Sequence, residues 1–310
     1  MRVAAVVLSV DEAALLEDCL PALRAADEVL VIDNACGDAT RAVAERCGAR
    51  VLVLGERLSY AAAVNAGFAA VADAEAVLLV NADCVLEAGA VRALSAALDG
   101  DPGLGSAAPK LLRGDGGRLD TAGITIDRRR KNLLVGHGAP ATAYGVPGPA
   151  FGGDGAAVLW RRAALDDCAV AGELLDEDMG LWATESDLAW RAQLRGWRCA
   201  YVPAALGRHL ARTYSPSTPR RQIAASHRRL QFRNRLLMLL KNETPAGLLH
   251  DLPRIAAYEL TALAFALLLD RPLLPAYADV WRARHATLRR RRIIQSTRRI
   301  THPPFGLTPP

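Results

Sequence analysis

Two observations predict an α/β fold with a mostly parallel central sheet flanked by helices. Apolar runs recur at VAAVVLS (3–9), EVLVID (28–33), ARVLVL (49–54), AVLLV (76–80) and LGSAA (104–108), separated by Ala-rich stretches with apolar positions three and four apart. The runs also lack polar alternation, so each strand is buried on both faces, as in a parallel sheet covered by helices. Right-handed crossovers are expected between them. With 310 residues, 51% hydrophobic and 23% charged, the chain can fold as one large domain with an appendage.

Met1 leads directly into the first strand, with no basic and apolar segments of a secretory signal, which predicts a cytoplasmic protein. The turn after that strand, LSVDEAALLEDC, contains neither GxGxxG nor GxxxxGK[ST], so a dinucleotide fold and a P-loop are excluded. It also lacks the Gly-rich, basic loop that a nucleotidyltransferase needs. The second strand ends at Asp33, and the fourth, in VLLVNADCVL, is cut off by Asn81, Ala82 and Asp83. Ligands of open α/β sheets bind beyond the carboxyl ends of the strands, so both carboxylates face one crevice. An Asp after an early strand can accept hydrogen bonds from a base or ribose, whereas one beside a pyrophosphate can hold a hard cation. Asp83 could equally cap the turn before a helix starting near Ala88.

Residues 112–153, rich in Gly, Arg and Pro with little periodicity, are expected to form a mobile connection or flap. A second block, 155–205, holds a strand-like AAVLW and the helix-like SDLAWRAQLRGW ending at Gly196. Glu185 and Asp187 stand at the mouth of that helix, where acids are also ordinary dipole and capping partners. After the strand RCAYV comes His209, whose neutral imidazole can complete the coordination of a metal held by carboxylates.

The six cysteines show no CxxC pair, which argues for reduced, packed thiols. The net charge of +5 is unevenly spread: 19 basic against 28 acidic residues through position 200, then 19 against 5, or about −9 and +14. Arg208, Arg212, Arg220, Arg221, Arg228, Arg229, Arg233 and Arg235 fall in a stretch without acids. Such asymmetry suggests an anionic partner, or simply a solvated basic face. The run Ile255 to Leu269 is interrupted by Glu259 and bounded by Pro253 and Pro272, too short to span a bilayer of about 20 apolar residues. An interfacial helix on an anionic membrane surface and a helix packed on the domain both suit it. Few aromatics accompany the basic stretches, so a nucleic-acid partner is not expected.

Taken together, these pieces resemble the inverting glycosyltransferases of family 2, with the GT-A fold, and especially the bacterial branch that includes rhamnosyltransferases. VLVIDNACGDAT is similar to VIVVDNASTDGT of that branch, ERLSYAAAVNAGF to ENxGFAxAxNxG, LLVNADCVLEAGAV to LLLNPDTVLxPGAL, and DEDMGLWATESDLAWRAQLRGWRCAYVPAA to DEDFFAYxEDxDLAWRxxLxGWRxxYVPxA. The likeness covers residues 3 to 212, with a looser one in RNRLLMLLKN, so a GT-A domain at 1–212 and a basic helical extension at 213–310 are expected.

The resemblance implies a donor site of Ser9, Asp33, Asn34, Asn65, Asn81 and Asp83, with Asp33 on the nucleobase. Asp83 matches the last acid of the DxD motif, the ligand of Mg2+ or Mn2+ on the donor diphosphate, and His209 is a further ligand. Asn81 replaces the first acid. FGGDGAAVLWRR places Gly153, Asp154 and Gly155 on the acceptor side. The catalytic base is Glu185 or Asp187: Thr184 replaces the first acid of the usual pair, and Glu stands for the usual Asp. Ser59 replaces the Gly of ENxGF, and Val10 and Asp11 depart after the first strand. The implied reaction moves a sugar from a UDP- or dTDP-sugar, dTDP-rhamnose included, to a hydroxyl of a cell-envelope glycan or lipid-linked acceptor. An inactive relative acting as scaffold or sugar-nucleotide sensor is the alternative those departures leave open. Oligomeric state is not legible.

Overall fold

The computed structural model describes residues 1–210 and 218–310, so the expected domain boundary at 212/213 lies outside the described residues. Strands β1 (Val3–Ser9), β2 (Glu28–Asp33), β3 (Arg50–Val53) and β4 (Ala76–Asn81) alternate with helices α1 (Ala13–Ala22), α2 (Thr40–Arg46) and α3 (Tyr60–Ala70). These strands pair in parallel in the order β4-β1-β2-β3. Ser9 lies opposite Asp33 and Leu8 opposite Asn81, so the carboxyl ends finish at one level. Every residue of β1 is buried. Val3, Ala5 and Val7 pack with Leu16 and Leu20 of α1 on one face, while Ala4, Val6 and Leu8 pack with Val64 and Phe68 of α3 on the other. Alternation of side chains along a strand thus feeds two cores, each large side chain contributing about 1.5–3 kcal/mol.

Past β4 the sheet becomes mixed. β5 (Cys84–Leu86), α4 (Ala90–Gly100), β6 (Leu104–Arg113), β7 (Leu119–Thr121), β8 (Ile124–Ile126), β9 (Asn132–Leu134), β10 (Gly148–Ala150), β11 (Ala157–Arg161), α5 (Arg162–Cys168), α6 (Thr184–Leu194) and β12 (Arg198–His209) follow. The main order is β10-β12-β6-β11-β4-β1-β2-β3, with β11 antiparallel to β4 and β6, β7 on β6, and β5 on β12. Residues 112–153 are therefore not the structureless connection that composition suggests. They hold short strands whose Leu119, Ile124, Ile126 and Ala150 are buried, and the Gly-rich joints disguise strands of three residues.

α6 ends as expected at a glycine. Gly196 has φ +85°, and the Trp197 N–H reaches back to the Ala192 carbonyl at 3.0 Å. β12 is irregular in register between Val202 and Leu206, a bulge that bends the strand so that its last residues pair with β5.

Helices α7 (Ala225–Asn242), α8 (Pro245–Leu268) and α9 (Pro275–Thr297) form the C-terminal extension. Pro253 does not bound the apolar run. It sits inside α8, which begins at Pro245 and is capped by Thr244, whose hydroxyl accepts from the Gly247 N–H at 2.9 Å. Among the described residues no single helix is long and apolar enough to cross a membrane. α7 packs on α6 and α9. Buried Arg130 bonds Glu243 at 2.5 Å and Asp251 at 2.9 Å, with its guanidinium 3.6 Å from the centre of the Phe305 ring. Arg290 to Glu173 at 3.0 Å and Arg299 to Asp167 at 3.0 Å join the basic extension to the acidic domain, so part of the charge asymmetry is internal.

Candidate active site

A cavity of about 1110 Å3 opens beyond the ends of β1 and β4, and Asn81, Asp83, Asp154, Gly155, Glu185 and His209 all lie on its wall. Pairing of β12 with β5 sets one end of it. His209 stands opposite Cys84, and the Leu210 N–H donates to the Asp83 carbonyl at 2.7 Å, which brings two residues far apart in sequence side by side. His209 Nε2 lies 3.1 Å from Asp83 Oδ2, while His209 Nδ1 lies 2.9 Å from Asp120 Oδ2. Asp120 also takes His137 Nδ1 on its backbone carbonyl at 2.8 Å.

A carboxylate behind an imidazole fixes the ring and leaves the other nitrogen aimed at a metal, and one oxygen and one nitrogen donor suit Mg2+ or Mn2+. The residues present thus fit a divalent ion held by Asp83 and His209. Nearer β2, the ligand-type atoms of Asp11, Cys36 and Asp38 lie within 4.8 Å of one another and could also hold a metal. Their carboxylates are already engaged. Asp11 takes the Gly37 N–H and Arg57, each at 2.7 Å, and Asp38 takes the N–H groups of Ala13 at 2.8 Å and Thr40 at 3.0 Å. That grouping is built as a loop clasp.

The other end of the cavity is the start of α6. Trp182 and Ala183 precede it with φ of 71° and 62°, a pair of left-handed residues without glycine, conformations that need support from their surroundings. Asn234 of α7 supplies it by donating to the carbonyls of Leu181 and Trp182 at 2.7 and 3.0 Å. Glu185 then projects to the cavity wall, with the Thr184 hydroxyl donating to its Oε2 at 2.9 Å. Thr184, which departs from the family pattern, is here a support for the next residue. Burial raises the Glu185 carboxyl above its ordinary value, against the lowering influence of Tyr60 and Thr184. Burial and the neighbouring Glu185 charge raise the Tyr60 phenol well above its usual value.

The glycine run FGGDG is explained by space. A Cβ on Gly155 would sit 2.5 Å from Glu185 Oε1, so this glycine makes room for the carboxylate. One on Gly153 would sit 2.4 Å from Val158, so Gly153 is needed for close packing, and it is not among the residues that line the cavity. Asp154 turns the loop by accepting the Ala156 N–H at 2.9 Å.

Several expected site residues are corrected. Asp187 is sealed from the cavity, bound to Lys241 at 3.0 Å, Arg191 at 3.0 Å and Asn242 at 2.8 Å, so it cannot meet an acceptor hydroxyl. Although burial pushes its carboxyl up, Lys241 and Arg191 hold it below the ordinary range. Asn34 donates from its amide to the Leu58 carbonyl at 3.0 Å and accepts the Leu58 N–H at 2.8 Å. Asn65 does the same on Leu175, at 2.9 and 2.8 Å, and both are loop clips. Ser9 is buried against the Thr40 hydroxyl at 2.9 Å. Asp33 reaches the end of β2 as expected, where it accepts the Cys36 N–H at 2.8 Å with Arg41 3.5 Å away.

Sequence reading missed Asp120, His137, Tyr60 and Glu12, of which all but Asp120 line the cavity, and it named Arg235, which also lines it, only as part of a basic stretch. Asp120 lies 89 residues from His209, and only the β6–β7 pairing brings it there.

Residues 5–142 match the family described as Glycosyl transferase family 2. No curated protein sequence matches the chain. Among solved structures, S. aureus TarS 1–349 is similar at a TM-score of 0.61 and 14% identity, covering 96% of this chain and 91% of that one. The mannosyltransferase PcManGT from Pyrobaculum calidifontis, in complex with GDP-Man and Mn2+, aligns at a TM-score of 0.52 and 18% identity, over 92% of this chain and 75% of that one. GalNAc-T7 with UDP, GalNAc and Mn2+ aligns at a TM-score of 0.59 and 14% identity over 78% of this chain, which spans only 48% of that protein. At such identities the likeness is one of fold. Residues 5–142 are thus similar to glycosyl transferase family 2, and the chain has a GT-A-like α/β fold with a C-terminal helical extension.

Proposed function

We propose that the protein is a metal-assisted glycosyltransferase that moves a sugar from a nucleoside-diphosphate sugar to an acceptor hydroxyl by a single displacement with inversion. The observation that carries this reading is the shared cavity: the Asp83–His209 pair and Glu185 stand on walls of the same space. Asp83 and His209 would hold a divalent ion, which when bound supplies Lewis-acid stabilisation of charge on the leaving diphosphate.

Glu185 takes the proton from the acceptor hydroxyl at its Oε1 or Oε2 as the new bond to the anomeric carbon forms. Its raised carboxyl is a stronger base than an exposed glutamate, and a placed general base contributes roughly 10² to 10⁴ in rate. Asp33, at the exit of β2, is the residue for the donor's base, and a UDP- or dTDP-sugar, dTDP-rhamnose among them, is the donor class to test first. Alignment of donor and acceptor within one enclosed site removes rotational and translational freedom before reaction.

The acceptor reading, a cell-envelope glycan or lipid-linked sugar, is supported by α8. It exposes Leu249 (77%), Leu260 (68%) and Leu268 (79%), with Leu269 (76%) just past its end, and Trp281 (67%) stands exposed on α9 with Arg284 4.3 Å from its ring. An apolar face of this extent flanked by cations matches an interfacial helix on an anionic membrane, here the cytoplasmic leaflet.

Metal-dependent release of nucleoside diphosphate from a panel of nucleotide sugars tests the activity. Asp83→Ala is expected to abolish that release, a loss of at least about 10³-fold for removal of a metal ligand and its charge stabilisation. Unchanged turnover in Asp83→Ala would overturn the assignment.

A further inference from the structure

The cavity is electrically divided. Glu12, Asp83, Asp154 and Glu185 line its sheet side, while Lys131, Arg220, Arg228 and Arg235 line the rest. Arg220 and Arg228 share Asp270, at 2.9 and 3.0 Å. Arg235 is 5% exposed, and its Nη2 donates to Glu259 at 2.8 Å. Among the described residues its Nε and Nη1 have no hydrogen-bond partner. The guanidinium is held by ring contacts, 4.9 Å from Tyr258 and 5.6 Å from Phe232. A buried guanidinium with two open donors is costly unless an anion completes it, and the fork of Arg matches phosphate oxygens.

α7, which carries Arg235, packs on α6, which carries Glu185, and both side chains line the same cavity. The donor's diphosphate already has the Asp83–His209 end. Resting on the proposed glycosyl transfer, we infer that Arg235 is the core of an anion subsite for a phosphate or diphosphate group on the acceptor. A phosphate-bearing acceptor then presents its hydroxyl to Glu185 while its anionic group sits on the helical wall.

Calorimetry with inorganic pyrophosphate in the presence of EDTA, on the full chain, isolates this subsite from the metal site. Wild type is expected to bind saturably, and Arg235→Gln to bind at least about tenfold more weakly, the worth of a charge-assisted hydrogen bond. Glu259→Gln, which keeps the guanidinium and removes the carboxylate charge that competes with an anion for it, is expected to bind more tightly, and it decides the matter should Arg235→Gln not fold. Affinity for UDP with Mn2+ is expected to stay unchanged in both variants. Equal pyrophosphate binding by wild type and Arg235→Gln, no gain in Glu259→Gln, or a parallel loss of UDP–Mn2+ affinity would each overturn the inference. Failure of wild type to bind any nucleotide with metal would instead defeat the glycosyltransferase reading and leave the pyrophosphate result standing. Transfer to a glycosyl diphosphate lipid in phosphatidylcholine vesicles and to a soluble sugar phosphate separates the two sources. The acceptor whose KM falls in Glu259→Gln identifies the source, and no change for either counts against the subsite.

Discussion

Glu185 and Asp187 stand two residues apart in the first turn of α6 and belong to different regions, the cavity wall and the seam against the extension. One carboxyl is raised by burial beside the Tyr60 phenol, and the other is held down by Lys241 and Arg191 despite its burial. Environments that push two neighbouring carboxyls apart separate their roles, which leaves the first as the proposed base and the second as a structural anion. A helix turn needs about 100° between successive residues, so acids two apart face opposite ways. The usual motif of paired acids therefore divides here into chemistry and architecture.

The sharpest way to break this contrast is to remove each charge in turn. Glu185→Gln is expected to lower kcat by roughly 10² to 10⁴ with the melting temperature nearly unchanged. It should also erase the acidic limb of the kcat/KM profile. In wild type that limb lies above the ordinary glutamate range, since a raised carboxyl stays protonated, and so inactive as a base, to higher pH. Full activity in Glu185→Gln would show that the cavity-facing acid is not the base.

Next in size is Asp120→Asn, expected to weaken Mn2+ affinity about 10- to 100-fold, as for other partners behind a metal-bound imidazole. A metal titration of nucleotide binding reads it directly. Gly155→Ala puts a methyl group against Glu185 and is expected to lower kcat about tenfold, with KM for the donor little altered. Steady-state kinetics on both substrates would tell the difference.

Asp187→Asn has the smallest expected effect on turnover and a large one on folding, about 3 kcal/mol for stripping one partner from a buried pair. Its sign with pH is fixed by the depressed carboxyl. The stabilisation is complete above the unfolded value of about 3.9 and is lost as pH falls through the lower folded value. Denaturant midpoints of wild type and Asp187→Asn should therefore converge toward acid. Parallel curves would show that the seam does not depend on this charge.

The parallel half of the sheet was legible because β1, β2 and β4 are continuous apolar runs whose burial shows in composition. The region 112–153 was not, since strands of three residues carry no period, and their identity depends on partners far along the chain. Asp83 and Glu185 were legible from position after a strand and before a helix. Asp187 was ambiguous because its partner Lys241 comes 54 residues later, in the extension. Asn34 and Asn65 carried a donor-site motif, yet each amide is engaged by a backbone segment that only the tertiary fold supplies.

Arg130 has one further consequence. Its guanidinium lies in the sheet domain, but both carboxylates that neutralise it come from beyond residue 242. Cutting the chain there would remove both carboxylates and the Phe305 ring that cover this cation, so the segment from Glu243 onward cannot be treated as a detachable anchor. Chimeras that exchange it between relatives must carry the residue at position 130 across with it, and lipid affinity is better probed by single polar replacements at Leu249, Leu260 and Leu268.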